Sequence, residues 1–350
     1  MSIVQKLRTS RAVTRLKRTI LRPLISRQLR SAPSKPKGTV VFAGLSKQKL
    51  HVCGKMSPAR FLPAICNALR SEGYHTFFAC SEAELARFQN CSRPVIVVML
   101  YGEDDTKGVP ESASLIELLQ DAEVVFNNPR AGSIIRSKRR THEVLTAAGV
   151  LMPELKAVAD KPVFSNANAS SGAKVKVLEA GEQLDNERYN TEFIDTRQRV
   201  NSNEYYTTVR LMCVGPYVTH AFVRARDVSE GDPNVHLKNT PRDARLIKVL
   251  EQRLIEPNGA QFLELAERTY EALGPGFYAH DILVEAGSNR VLMCETGFKF
   301  NDASFAEWME AVKSQLPAWK PLYTAEQAAI AAVTPFLEIV SNKAVSERAN

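Results

Sequence analysis

From residue 39 onward the chain alternates short apolar runs with segments of helical spacing. Residues 39–45 form an apolar run ending in a loop, and 74–79 and 123–126 read as further strands. In 94–100 the run Val-Ile-Val-Val-Met-Leu has no polar position, the pattern of a strand covered on both faces. Between these runs lie helical patterns at 58–71, which Gly73 stops, at 82–88, and around 115–119. Strand and helix in alternation predict a parallel sheet with helices on its faces. A basic helix then spans 134–148, with Gly149 as its stop and Pro153 shortly after.

Beyond about residue 157 the period shortens to strands and hairpins. The small residues Ala169-Ser-Ser-Gly172 interrupt a pair of strands, 209–214 and 218–224 read as a hairpin around Gly215-Pro216, and a helix runs over 261–272 to Gly274. A second hairpin covers 281–297, turning at Gly287-Ser288-Asn289-Arg290. Asp281 opens its first strand and Glu295 closes its second, so the two carboxylates are expected to be neighbours. Two such carboxylates at a sheet edge suit Mg²⁺, which is usually held by one or two carboxylates together with substrate phosphates. An ordinary hairpin with acidic ends fits the same residues. The end of the chain, 325–346, is expected to be helical, and no internal repeat is visible.

Composition narrows the choice. With 350 residues, 44% hydrophobic and 24% charged, the chain fits a soluble globular protein of two or three lobes. No apolar run is long enough for a transmembrane helix. The six cysteines are scattered, with no CxxC pair, which fits free thiols in a reducing compartment. The net charge of +8 is unevenly placed: residues 1–37 hold 11 Lys and Arg and no acid. The remaining 35 basic and 38 acidic residues leave the body at −3, which gives no argument for nucleic-acid binding. In the arm, Val13, Leu16, Ile20, Leu21 and Leu24 share a helical spacing that Pro23 interrupts. Three readings of the arm are open: a solvated tail, an amphipathic segment on an anionic membrane surface, and an organelle transit peptide. No GxGxxG follows the first strand, and no GxxxxGK[ST] occurs anywhere. Ser165 and Ser170 have no neighbouring base pattern, so a Ser-His-Asp hydrolase is unsupported.

In the order of its pieces, the chain resembles the ATP-grasp superfamily, in particular glutathione-synthetase-like enzymes and ribosomal-protein glutamate ligases. Lys138 is followed by Leu145, Gly149 and Pro153, similar to the family's helix that enters G-x-x-x-P. The resemblance implies an α/β plus α+β fold. A parallel lobe over 38–130 would precede a two-lobed ATP-grasp domain over 131–320, split near 195. The basic arm 1–37 and a helical tail 321–350 would flank them. It implies ATP and Mg²⁺ as cofactors, with Lys138 on nucleotide phosphate and Ser170, Ser171, Gly172 and Lys174 in a phosphate-covering loop. Glu192, Phe193 and Ile194 resemble the hinge whose backbone pairs with adenine. Arg210 and Arg224 match cations that serve phosphoryl transfer, and Asp281, Glu295 and Asn301 are the implied metal ligands.

Three positions depart from the family's pattern. Asn166 stands where a second lysine is expected, Thr208 where an acid precedes the γ-phosphate arginine, and Gly297 where Glu-x-Asn would end. Among the histidines, His280 reads as structural or substrate-facing, and Asn239 as a substrate-side residue. The implied function is an ATP- and Mg²⁺-dependent ligase that activates a carboxylate as an acyl phosphate and couples it to an amine-type nucleophile. The alternative is a catalytically degenerate nucleotide-binding or regulatory protein on the same scaffold. Small-molecule carboxylate and amine substrates are the expected partners, with no nucleic acid and peripheral membrane contact through residues 1–30 left open. The expected location is cytoplasmic.

Overall fold

A computed structural model describes residues 35–44, 61–79, 91–100, 113–168, 175–288, 290–298, 300 and 325–348. The chain is α/β plus α+β. Strands β1 (Thr39–Gly44), β2 (His75–Ala79), β3 (Val95–Leu100) and β4 (Val124–Phe126) form a parallel sheet in the order β2-β1-β3-β4. All of β3 is buried, as its unbroken apolar run requires. Helix α1 (Phe61–Ser71) buries a stripe of Phe61, Leu62, Ile65, Cys66 and Leu69, and helix α2 (Ala113–Asp121) leads into β4. The expected helix at 82–88 lies outside the described residues.

The chain leaves the parallel sheet through Asn127, which adopts φ +54°. Its side chain makes this left-handed residue a fastener. The amide Nδ2 donates to the Met99 carbonyl at 3.0 Å, and Oδ1 accepts from the Phe277 N–H at 2.8 Å. Asn128 then accepts from the Ala131 N–H to cap helix α3 (Pro129–Ile135), with proline at its start.

The single helix expected over 134–148 is two. It breaks at Arg136-Ser137, and helix α4 (Lys138–Ala147) begins afresh with Ser137 as its N-cap in extended conformation. A serine that satisfies an orphan N–H competes with helix continuation, and here the cap wins. Gly149, at φ +80°, ends this region as expected.

A small antiparallel sheet follows, β6-β5-β7, made of β5 (Val163–Asn166), β6 (Lys176–Leu178) and β7 (Tyr189–Glu192). The larger antiparallel sheet has the order β10-β9-β11-β12, with β8 also paired to β9. Its strands are β8 (Arg197–Val200), β9 (Asn203–Val214), β10 (Tyr217–Asp227), β11 (Phe277–Val284) and β12 (Val291–Gly297). The hairpin expected at 209–224 is therefore longer at both ends. Helices α5 (Ala244–Leu254) and α6 (Gly259–Leu273) pack on β10. The first was not expected from the sequence, although Asp243 caps it through two backbone N–H groups.

Helix α7 (Ala325–Arg348) is not a trailing tail. It packs on α1, β9 and β10, and its Phe336 stacks on Phe126 and Phe277 at centroid distances of 4.4 and 6.0 Å. Phe300 meets Phe61 and Phe277 at 5.4 and 5.5 Å, so an aromatic cluster joins the parallel lobe to the larger sheet. Among the described residues, no helix is long and apolar enough to cross a membrane.

Candidate functional site

The register of the larger sheet sets the site. Asp281 on β11 is the Cα partner of Arg210 on β9 and of Glu295 on β12, so the three stand in one row across three strands. Residues directly opposite in an antiparallel pair share a face. Asp281 lies in the interior of its strand rather than at its opening, and Glu295 precedes the end of β12 by two residues. Asp281 pairs with Glu295 but Ile282 pairs with Met293, which leaves Cys294 as a bulge. Such a bulge turns the following side chain, here the Glu295 carboxylate, relative to a regular ladder.

Three cations meet these carboxylates. Arg210 donates from Nε and Nη2 to the two Asp281 oxygens, both at 2.8 Å, in a fork geometry. Arg224 donates from Nη2 to Asp281 Oδ1 at 2.7 Å and from Nε to Thr208 Oγ1 at 3.2 Å. Lys138, the first residue of α4, places Nζ 2.5 Å from Glu295 Oε2. All three cations are buried. Among the described residues, the cations and carboxylates meet in a region partly closed to water. Paired cations of this kind can exchange a carboxylate partner for another anion.

The start of α4 is tied to Asn168, two residues beyond the end of β5. Asn168 accepts from the Arg139 N–H at 2.9 Å and from Ser137 Oγ at 3.2 Å through Oδ1, and from the Lys138 N–H at 2.9 Å through its carbonyl. Ser170, Ser171, Gly172 and Lys174 lie outside the described residues, as does Asn301. At the hinge, the N–H groups of Glu192 and Phe193 already donate to the carbonyls of Glu154 at 2.8 Å and Pro162 at 3.1 Å. Ile194 follows them, buried, beyond the end of β7. The Glu192 carboxylate binds Arg290 at 3.3 Å and the Glu154 N–H at 3.0 Å, which ties the hinge to the turn of the β11–β12 hairpin.

A buried pair beside Glu295 was not foreseen. His142 Nδ1 lies 3.0 Å from the Tyr189 hydroxyl, and both side chains are buried. Burial holds the His142 pKa below its ordinary value. The Tyr189 phenol is raised by burial first, then by Cys294 and Glu295. One sequence signal was available: His142 is four residues after Lys138, and i,i+4 residues share a helix face. Burial, with Glu295 and Asp281 nearby, pushes the Cys294 thiol up to about 12. Among the described residues, no three His, Cys, Asp or Glu groups converge to hold a metal unaided.

His280 points away from the carboxylate row. Its neighbours in β11 alternate faces, it is fully buried, its Nδ1 lies 2.8 Å from Thr296 Oγ1, and it stacks on Tyr278. Burial lowers its pKa to about 3, so it is a neutral structural residue. His220 packs edge-on against Phe300 at 5.8 Å, and exposed His236 caps the turn that carries Asn239. Arg226 binds Glu230 at 2.9 Å, Asp232 and the Asn234 carbonyl, outside the cation cluster.

No family model matches the chain, and no curated protein matches it. Its similarities are to solved structures. A RimK domain ATP-grasp protein from Sphaerobacter thermophilus aligns over 84% of this chain and 99% of its own, at 15% identity and a TM-score of 0.43. The ATP-grasp ligase PsnB, complexed with a phosphomimetic precursor variant, Mg and ADP, aligns over 87% and 99%, at 14% and 0.49. D-alanine–D-alanine ligase from Bacillus anthracis, complexed with ATP, aligns over 87% and 98%, at 13% and 0.47.

Proposed function

We propose that this chain is an ATP-grasp-type ligase. It binds ATP with Mg²⁺, activates a substrate carboxylate as an acyl phosphate, and passes the acyl group to an amine-type nucleophile. The observation that carries the reading is the convergence of Lys138, Arg210 and Arg224, from three separate segments, on the adjacent carboxylates of Asp281 and Glu295. This set matches what phosphoryl transfer demands of a protein: positioning and charge neutralisation more than a protein nucleophile.

The donor set fits magnesium. Two hard carboxylates side by side, with phosphate oxygens as further ligands, is how Mg²⁺ is commonly held. Asp281 and Glu295 would hold it, and the ion would neutralise charge on the phosphate oxygens. The chain's own cations do the rest. Each now sits on a carboxylate, and each exchanges that partner for a phosphate oxygen when nucleotide arrives. Lys138 enters from the N-terminus of a helix, where the dipole adds to its attraction for phosphate. Arg210 and Arg224 hold the transferring group between them. The substrate carboxylate oxygen attacks the γ-phosphorus and ADP leaves. The amine then attacks the acyl carbon and phosphate leaves.

A second reading has its own support. Gly297 offers no side chain, and the Thr296 hydroxyl is already bonded to buried His280. The described residues therefore supply two metal ligands, which also suits a nucleotide-binding protein without turnover. Calorimetric titration with ATP, with and without Mg²⁺, tests binding. Release of ADP and phosphate across pools of amino acids and small acids tests turnover. Mg²⁺-dependent binding with substrate-stimulated release is expected; binding without release selects the second reading, and no binding overturns both.

A further inference from the structure

Strand β5 ends on Asn166, a residue 7% exposed whose Oδ1 is buried with no hydrogen-bond partner among the described residues. A buried acceptor left unmade is destabilising, so such an atom calls for a role. Register shows where it looks. Asn166 is the Cα partner of Tyr189, and directly opposed residues share a face. Tyr189 lies against His142 and within electrostatic reach of Glu295, so this face is turned to the cation–carboxylate cluster. The other end of the same strand pair, Val163 opposite Glu192, abuts the hinge. Asn166 is thus three residues along the strand from the hinge level, about 10 Å at ~3.3 Å per residue.

Resting on the nucleotide reading above, we propose that the Asn166 side-chain carbonyl accepts a hydrogen bond from an N–H or O–H donor on the nucleoside part of the bound nucleotide. The chemistry selects that part. Phosphate oxygens at neutral pH only accept, so an orphaned carbonyl oxygen finds no partner on them. A nucleoside offers two kinds of donor, the exocyclic amine of the base and the ribose hydroxyls. The residue also lies between the hinge level and the cations that would hold the phosphates. Asn190 provides a contrast. Its Oδ1 is likewise buried and unpartnered, but it pairs with Ser165 on the opposite face, and its Nδ2 is spent on the Asp185 carbonyl.

The test joins stability to binding. Asn166→Ala removes an unsatisfied buried acceptor, so the ligand-free protein should melt at the same temperature or higher. Its dissociation constant for ATP should rise roughly 10-fold, the loss of one hydrogen bond that leaves its ligand partner unpaired. Asn190→Ala should leave that constant unchanged. The affinity ratio of wild type to Asn166→Ala is then measured with 2′-deoxy-ATP, 3′-deoxy-ATP and purine riboside triphosphate. Collapse of the ratio to near one with a deoxynucleotide assigns the ribose, and collapse with purine riboside triphosphate assigns the base amine. Unchanged ATP affinity in Asn166→Ala overturns the inference while the nucleotide reading stands. A ratio that stays the same across all four nucleotides also overturns it. Failure of the wild type to bind any nucleotide removes both.

Discussion

Asp281 is where two cations of the site meet. It accepts three hydrogen bonds from two guanidinium groups, and the side chains of Asp281, Arg210 and Arg224 are 16%, 10% and 7% exposed. Without the carboxylate, two buried guanidinium groups lose the anion they share. Asp281→Ala is therefore expected to lose about 3–5 kcal/mol in denaturant unfolding, as well as turnover. Glu295 is more exposed, at 28%, and among the described residues it binds Lys138. Glu295→Ala should lower stability by about 1–3 kcal/mol, since buried Lys138 loses that partner, and reduce ADP release on the order of 10²–10³-fold. Unfolding curves and turnover assays on both variants check this contrast, and near-wild-type turnover in Glu295→Ala would remove it as a magnesium holder. Asp281 and Glu295 were visible in the sequence because a hairpin fixes which positions meet, while Lys138, Arg210 and Arg224 were visible only through the resemblance. Asn127 and the His142–Tyr189 pair were not. Their partners lie 150 and 47 residues away in sequence, and nothing in local spacing records such a meeting.

Among the elements, the break between α3 and α4 matters most to the site. The apolar and basic pattern runs smoothly through 134–148, so periodicity reads one helix. The decision rests on a single side chain: Ser137 accepts from the Arg140 N–H at 3.2 Å and donates to Asn168. That restart makes Lys138 the first residue of a helix. Ser137→Ala is expected to cost about 1 kcal/mol, the usual value of an N-cap, and to weaken nucleotide binding by loosening Lys138. Thermal melts and titrations on this variant measure both. Helix α7 shows the opposite failure. Its existence was legible from composition, but its place was not, because the aromatic partners of Phe336 belong to β4 and β11. Phe336→Ala should destabilise the protein by about 3–5 kcal/mol, since the cavity would open between the parallel lobe and the larger sheet. A melt that shifts by less than the width of its own transition would show α7 to be a peripheral strap.

For the molecule as a whole, buried His220 and half-buried Glu251, both outside the site, act on stability in opposite senses with pH. His220 is held neutral by burial, with its pKa lowered from 6.5 to about 3. The unfolded chain takes up a proton near 6.5 that the folded chain refuses, so stability is complete above that pH and falls as pH drops toward 3. Glu251, on α5, goes the other way. Burial raises its pKa from 4.5 to about 7 despite a hydrogen bond from the Val223 N–H, and its Oε1 is buried without a partner among the described residues. Here the folded state keeps a proton that the unfolded chain releases near 4.5. Stability therefore falls as pH rises from 4.5 to about 7, and stays reduced above it. Glu251→Gln should match wild type near pH 4, where both side chains are neutral, and exceed it on the order of 2 kcal/mol at pH 8. His220→Leu should lessen the slope on the acid side only, where buried His280 contributes in the same sense. Chemical denaturation at intervals from pH 4 to 8 on the three proteins measures these slopes. The alternation that announced a parallel sheet and hairpins concerns backbone periodicity, which the sequence displays directly. Burial of Glu251 depends on how α5 seats against β10, a packing decision no local pattern encodes. If Glu251→Gln were no more stable than wild type at pH 8, that carboxylate would be solvated in the folded protein, and α5 could not lie as closely on β10 as described.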